Sequence, residues 1–90
     1  AAHELYVAKF YASKEKWKGT VLRAQGLARS FPRSPHTHEA LALAVESLIQ
    51  LGDLDAAKRT LDQLASLSPK EELLARAKSA VESMPAPKAN

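Results

Sequence analysis

The sequence predicts an all-α protein: a solenoid of helical hairpins containing five helices. Three observations predict this. Apolar and small residues recur at three- and four-residue steps through most of the chain, the period of a helix face, and no sustained stretch alternates with period two. The pattern is broken only by short polar, glycine or proline segments, too short for anything but tight turns between antiparallel helices. The breaks also repeat, since Pro32 and Pro69 lie 37 residues apart.

The first helix is predicted over residues 2–13. Leu5, Ala8 and Ala12 form one stripe, and Tyr6, Phe10 and Tyr11 widen it. A helix apolar over more than one face needs two neighbours to cover it. After Ser13-Lys14-Glu15-Lys16 a second helix spans residues 16–30, with Trp17, Val21, Ala24, Leu27 and Ala28 inward. Lys18, Arg23, Gln25 and Arg29 fall on the other side, and Phe31-Pro32 ends it. Ser34-Pro35 opens the third helix, serine as N-cap and proline at the first helical position. Leu41, Ala44, Val45, Leu48 and Ile49 give its stripe, and Gly52 ends it in a left-handed C-terminal stop. Asp53 caps a fourth helix over residues 54–67, with Leu54, Ala57, Leu61 and Leu64 inward. Ser68-Pro69-Lys70-Glu71 reads as a capping box that starts the fifth helix, with Leu73, Leu74, Ala77 and Val81 inward. Two prolines follow Met84, so residues 85–90 are expected to be a disordered tail.

Composition bounds the function. The 90 residues allow one small domain, and an apolar fraction of 46% is ordinary for a folded chain. With no cysteine there is neither a disulfide nor a thiolate metal site. The longest purely apolar run, residues 40–45, is far short of the roughly 20 residues of a membrane span. The chain starts Ala1-Ala2 without an initiator methionine, which suggests a processed chain or an excised fragment. Residues 1–34 carry seven Lys/Arg against two Glu, whereas residues 35–69 carry two against five acids, so a basic hairpin adjoins an acidic one. The basic residues form no dense run and no nucleic-acid-binding motif, so nucleic acid is not an expected partner.

Nothing points to a reaction. His36 and His38, two apart at a helix start, face different ways and cannot chelate together, and His3 is isolated, so neither a metal nor a cofactor is expected. No serine sits in a nucleophile signature, the glycines are too scattered for a phosphate loop, and Glu71-Glu72 reads as first-turn charge complementing the helix dipole. No catalytic residue is assigned.

Shifted by 37 residues, the two hairpins overlay: Trp17 on Leu54, Thr20 on Ala57, Ala24 on Leu61, Leu27 on Leu64 and Glu15 on Gly52. The fifth helix begins a third unit. The pattern resembles a tetratricopeptide-repeat (TPR) array, whose unit is a helix–turn–helix of about 34 residues closed by a proline. The expected organisation is repeat one over residues 1–34, repeat two over 35–69 and a capping helix over 69–84. The run Glu4-Leu5-Tyr6-Val7-Ala8-Lys9-Phe10-Tyr11, followed by Trp17, Val21, Arg23, Gly26, Arg29 and Phe31-Pro32, is similar to the C-terminal repeats of the BamD family. Those are TPR lipoproteins of the bacterial outer-membrane β-barrel assembly machinery. The likeness covers some three quarters of the chain, and its specific part is the first hairpin. Lys9 stands where the family pattern has an acidic residue.

The resemblance implies a non-enzymatic scaffold in outer-membrane protein assembly, tethered at the periplasmic face of the outer membrane. Its C-terminal repeats would dock on the barrel-inserting subunit. Arg23 matches an arginine of the family pattern and is the first candidate contact to an acidic group of that partner; Arg29 is second, with Lys18, Tyr6 and Phe10 completing the surface. The first helix is also expected to mediate self-association. The alternative is a peptide-binding TPR adaptor of another, cytoplasmic pathway, with a basic groove for acidic or C-terminal carboxylate ligands.

Overall fold

The computed structural model describes residues 2–83 and shows five helices: α1 (Ala2–Ser13), α2 (Trp17–Ser30), α3 (Pro35–Gln50), α4 (Leu54–Ser66) and α5 (Glu71–Glu82). No strand occurs among the described residues. α1 packs on α2 and α3, and α5 packs on α3 and α4. This is a TPR-like stack of hairpins with α1, α3 and α5 in one row and α2 and α4 in the other. The tail expected over residues 85–90 lies outside the described residues.

Small residues let the helices approach closely. Ala8, Ala24, Ala40, Ala44, Ala57 and Ala77 are each 0% exposed, and Leu27, Leu41, Val45 and Leu64 fill the space between them. Truncating one such leucine to alanine costs about 2–5 kcal/mol. Leu73, Leu74 and Val81 of α5 are only half-buried, since α5 is covered from one side.

The turns follow local chemistry. Ser34 caps α3: its Oγ accepts the His36 N–H at 3.1 Å, with Pro35 in the first turn. Asp53 caps α4 by accepting the Ala56 N–H at 3.0 Å. Gly52 is left-handed, φ 77°, and Glu15 takes the same conformation at φ 57°. Each sits at the same point of a Schellman motif. Lys16 N–H donates to Tyr11 O and Glu15 N–H to Ala12 O in the first hairpin, as Asp53 N–H does to Leu48 O and Gly52 N–H to Ile49 O in the second.

The fifth helix corrects the sequence reading. It begins at Glu71 rather than at Pro69, and Ser68 does not cap it; Lys70 holds the N-cap position without a side-chain bond. Ser68 is left-handed, φ 53°, and its N–H donates to Ala65 O, so the residue is used to terminate α4. One residue cannot hold both the left-handed C-terminal position of one helix and the extended N-cap position of the next.

Buried hydroxyls complete the packing. Thr20 Oγ1 donates within 3.3 Å of both Ala8 O and Lys16 O, fastening α2 to α1. Thr37 Oγ1 donates to Phe31 O at 2.6 Å and lies 3.4 Å from Leu27 O, so α3 adds a second bond to carbonyls at the end of α2 that already accept backbone N–H groups. A reciprocal amide pair, Gln25 with Gln63 at 3.0 and 3.1 Å, bridges α2 and α4.

Candidate protein-interaction surface

The outward side of the first hairpin is built on a close approach. Gly19 of α2 has no side chain, and a Cβ there would stand 3.1 Å from Tyr11 Cδ2, so the tyrosine ring of α1 lies directly on α2. One turn further along α2, Arg23 places its guanidinium carbon 5.6 Å from the centre of that ring. Such a cation–π contact contributes about 0.5–1 kcal/mol at an exposed site. It holds the guanidinium beside the ring, and because Arg23 is exposed its N–H groups can meet a carboxylate. Shallow hollows of about 450 and 330 Å³ lie on either side of Arg23, the first floored by Tyr11 and Gly19, the second by Gly26 and Leu27.

Aromatic surface continues along α1. The Phe10 and Tyr11 rings are 6.3 Å apart and tilted by 49°, and Lys14 Nζ stands 5.8 Å from the Phe10 ring centre. Phe10 is 50% exposed and Tyr6, one turn earlier, 68%. Isolated exposed apolar side chains are ordinary, but two large rings in succession on one helix face are a typical protein-contact surface.

The five candidates from the sequence therefore do not form one cluster. Tyr6 and Phe10 lie on the free side of α1, and Arg23 lies where α1 meets α2. Lys18 and Arg29 share a stripe of α2 with Leu22, whose exposure is 71%, and Leu22 and Arg29 meet Arg23 around the 330 Å³ hollow. The sequence did not reveal Tyr11 and Gly19 as the groups that position Arg23. The available signal was a glycine inside a helical run that also had to receive an aromatic helix.

The other row of helices carries balanced charge. Lys9 of α1 pairs with Glu39 of α3 at 2.7 Å. Arg76 of α5 grips Glu46 of α3 with two bonds, Nε to Oε2 at 2.9 Å and Nη2 to Oε1 at 2.7 Å. Those bonds hold the Arg76 pKa above the ordinary arginine value, against a smaller opposing effect of partial burial. A groove of about 400 Å³ between α3 and α5 is lined by His38, Glu39, Lys70, Glu72 and Arg76, with both signs present. The basic groove of the adaptor alternative is not formed here, because Lys9 and Arg76 are tied to carboxylates and Lys18, Arg23 and Arg29 lie on α2. His38 Nε2 is 3.1 Å from Pro32 O and His36 lies beside the Ser34 cap, so both serve the α2–α3 turn. Among the described residues no three His, Asp or Glu side chains are grouped to hold a metal ion, and no helix is long and apolar enough to cross a membrane.

Fold and surface together define a helical-repeat protein whose distinctive chemistry is carried by exposed side chains of one hairpin. Comparison with known proteins narrows the class. The chain belongs to the outer membrane lipoprotein family YfiO, whose profile matches residues 1–64. It is 35% identical over 69 residues to the outer membrane protein assembly factor BamD of Vibrio cholerae, covering 77% of this chain and 28% of that protein. The BamD of Haemophilus influenzae is 36% identical over 52 residues, 58% of this chain and 20% of the relative. That of Pasteurella multocida is 35% identical over 60 residues, 67% and 23%. The chain thus spans less than a third of the length of each of these relatives. No solved structure gives a match.

Proposed function

We propose that this chain is part of a non-enzymatic scaffold in outer-membrane protein assembly, working at the periplasmic face of a bacterial outer membrane. Family membership supports the setting, and the relatives' role as assembly factors supports the process. The observation that carries the mechanism is the Arg23 guanidinium held over the Tyr11 ring. Its guanidinium is pre-oriented, so less side-chain freedom is lost when a partner carboxylate arrives. Phe10 and Tyr6 beside it offer apolar area that a partner would desolvate. The expected partner is the periplasmic part of the barrel-inserting subunit.

Arg23→Glu tests this. In a pull-down with that subunit it should lower recovery strongly, since losing one member of a desolvated charge pair costs a complex about 2–5 kcal/mol. Circular dichroism should stay unchanged because Arg23 is exposed. Full recovery of the partner by the variant would remove Arg23 from the contact.

A further inference from the structure

We propose that the outer face of α2 docks on an anionic phospholipid surface through Lys18, Leu22, Arg29, Phe31 and Arg33, beside the hollow that Arg23 shares with Leu22, Arg29 and Phe31. From Lys16 to His38 the chain has five Lys/Arg and no Asp or Glu. On α2, Lys18, Leu22 and Arg29 share one exposed stripe, and Lys18 and Arg29 are about 16 Å apart along the axis. Phe31 and Arg33 extend it beyond the helix end, Phe31 being 48% exposed. Lys18, Arg29 and Arg33 form neither an ion pair nor a hydrogen bond among the described residues.

The fold does not require this chemistry. The same places on α4 and the turn after it, 37 residues on, hold Asp55 for Lys18, Arg59 for Leu22, Ser66 for Arg29, Ser68 for Phe31 and Lys70 for Arg33, all exposed. A face of that hairpin type is thus stable with mixed charge and without large apolar side chains. On α2 it is instead basic, with two large apolar side chains standing singly between the cations. A folded protein partner would have to offer a separate socket for Leu22 and for Phe31 and a fixed carboxylate for each cation. A lipid surface supplies all of these without design: mobile phosphates gather under the cations, and the headgroup layer yields to single apolar side chains. Family membership among outer membrane lipoproteins places such a surface within reach.

Flotation of the full chain with phosphatidylglycerol–phosphatidylcholine vesicles, against phosphatidylcholine alone, tests the proposal. Binding should need the anionic lipid and fade at about 0.5 M salt. Each basic side chain near an anionic surface contributes roughly fivefold, so the triple variant Lys18→Ala, Arg29→Ala, Arg33→Ala should bind about a hundredfold more weakly. Leu22→Ser should weaken binding severalfold. Lys58→Ala with Arg59→Ala, two cations removed from α4, should leave it unchanged. Phe10→Ala, a change on α1 in the protein contact, should leave vesicle binding unchanged, which separates the two contacts. Equal binding to neutral vesicles, no binding at all, or equal loss from the α4 variant would overturn the proposal. So would loss of the protein partner by the triple variant without any vesicle binding, which would assign the face to a protein.

Discussion

Glu15 and Gly52 hold the same place in two successive hairpins, and both have left-handed backbone, φ 57° and 77°. For glycine that conformation is free of steric cost; for an L-residue it costs about 1–2 kcal/mol. A Cβ on Gly52 would meet nothing within 4 Å, so only the backbone term would act there. Glu15→Gly should therefore raise stability by about 0.5–1 kcal/mol, the extra freedom of glycine in the unfolded chain taking back part of the gain. Gly52→Ala should lower it by about 1 kcal/mol. In thermal melts each change is a shift of roughly 4–8 °C per kcal/mol for a domain of this size, in opposite directions.

The two inter-helix ion pairs also occupy repeat-equivalent places, but with reversed polarity. Lys9 and Glu39 correspond to Glu46 and Arg76. The Arg76–Glu46 pair has two aligned bonds and the Lys9–Glu39 pair one contact, so double-mutant cycles should give the former the larger coupling, near 1 kcal/mol against a few tenths. Exchanging both charges, Lys9→Glu with Glu39→Lys, should recover most of what either single reversal loses. Equal coupling in the two pairs would refute the ranking.

The two helical glycines of α2 should respond differently to alanine. At Gly26 a Cβ would meet only Arg29 Nη2 at 3.9 Å, so Gly26→Ala should stabilise by about 0.5–1 kcal/mol through helix propensity. At Gly19 the Cβ would press on the Tyr11 ring at 3.1 Å, offsetting that gain and lifting the ring away from α2. Gly19→Ala should leave stability flat and weaken partner recovery through Arg23. Denaturant unfolding and the pull-down read the two effects separately.

Repeat geometry bears on self-association. Tyr6, Phe10 and Tyr11 correspond to Leu43, Ser47 and Leu48, of which Ser47 and Leu48 are buried inside the stack, whereas Tyr6 and Phe10 remain exposed. We expect sedimentation velocity to show concentration-dependent association, reduced by Phe10→Glu with helicity intact. A single monomeric species at every concentration would rule this out.

The hairpins were legible because each stop and start is written in adjacent residues: Ser34-Pro35, Gly52-Asp53 and the 37-residue overlay of Glu15 on Gly52. Ser68 misled because its sequence neighbours fit an N-cap, and only the path of α4 into the turn shows that it ends a helix. The surface was legible as a set of residue types but not as a place. Lys18, Arg23 and Arg29 all project from the same broad side of α2, and which of them meets α1 depends on where Tyr11 lands, a matter settled by Gly19. Ion pairs such as Lys9 with Glu39 join residues 30 positions apart and follow from stacking alone.

All four other helices pack on α3, and it buries Thr37, Ala40, Leu41, Ala44, Val45 and Leu48 among its residues. The kinetic consequence is that neither hairpin has a complete core until α3 is in place. Folding from one end toward the other would have to create half-covered surfaces, so the transition state should centre on α3 and the flanking turns that aim it. Amide exchange should divide accordingly. The middle of α3 should open only with the whole molecule, while α5, covered from one side, frays at a lower free energy and marks where unfolding begins.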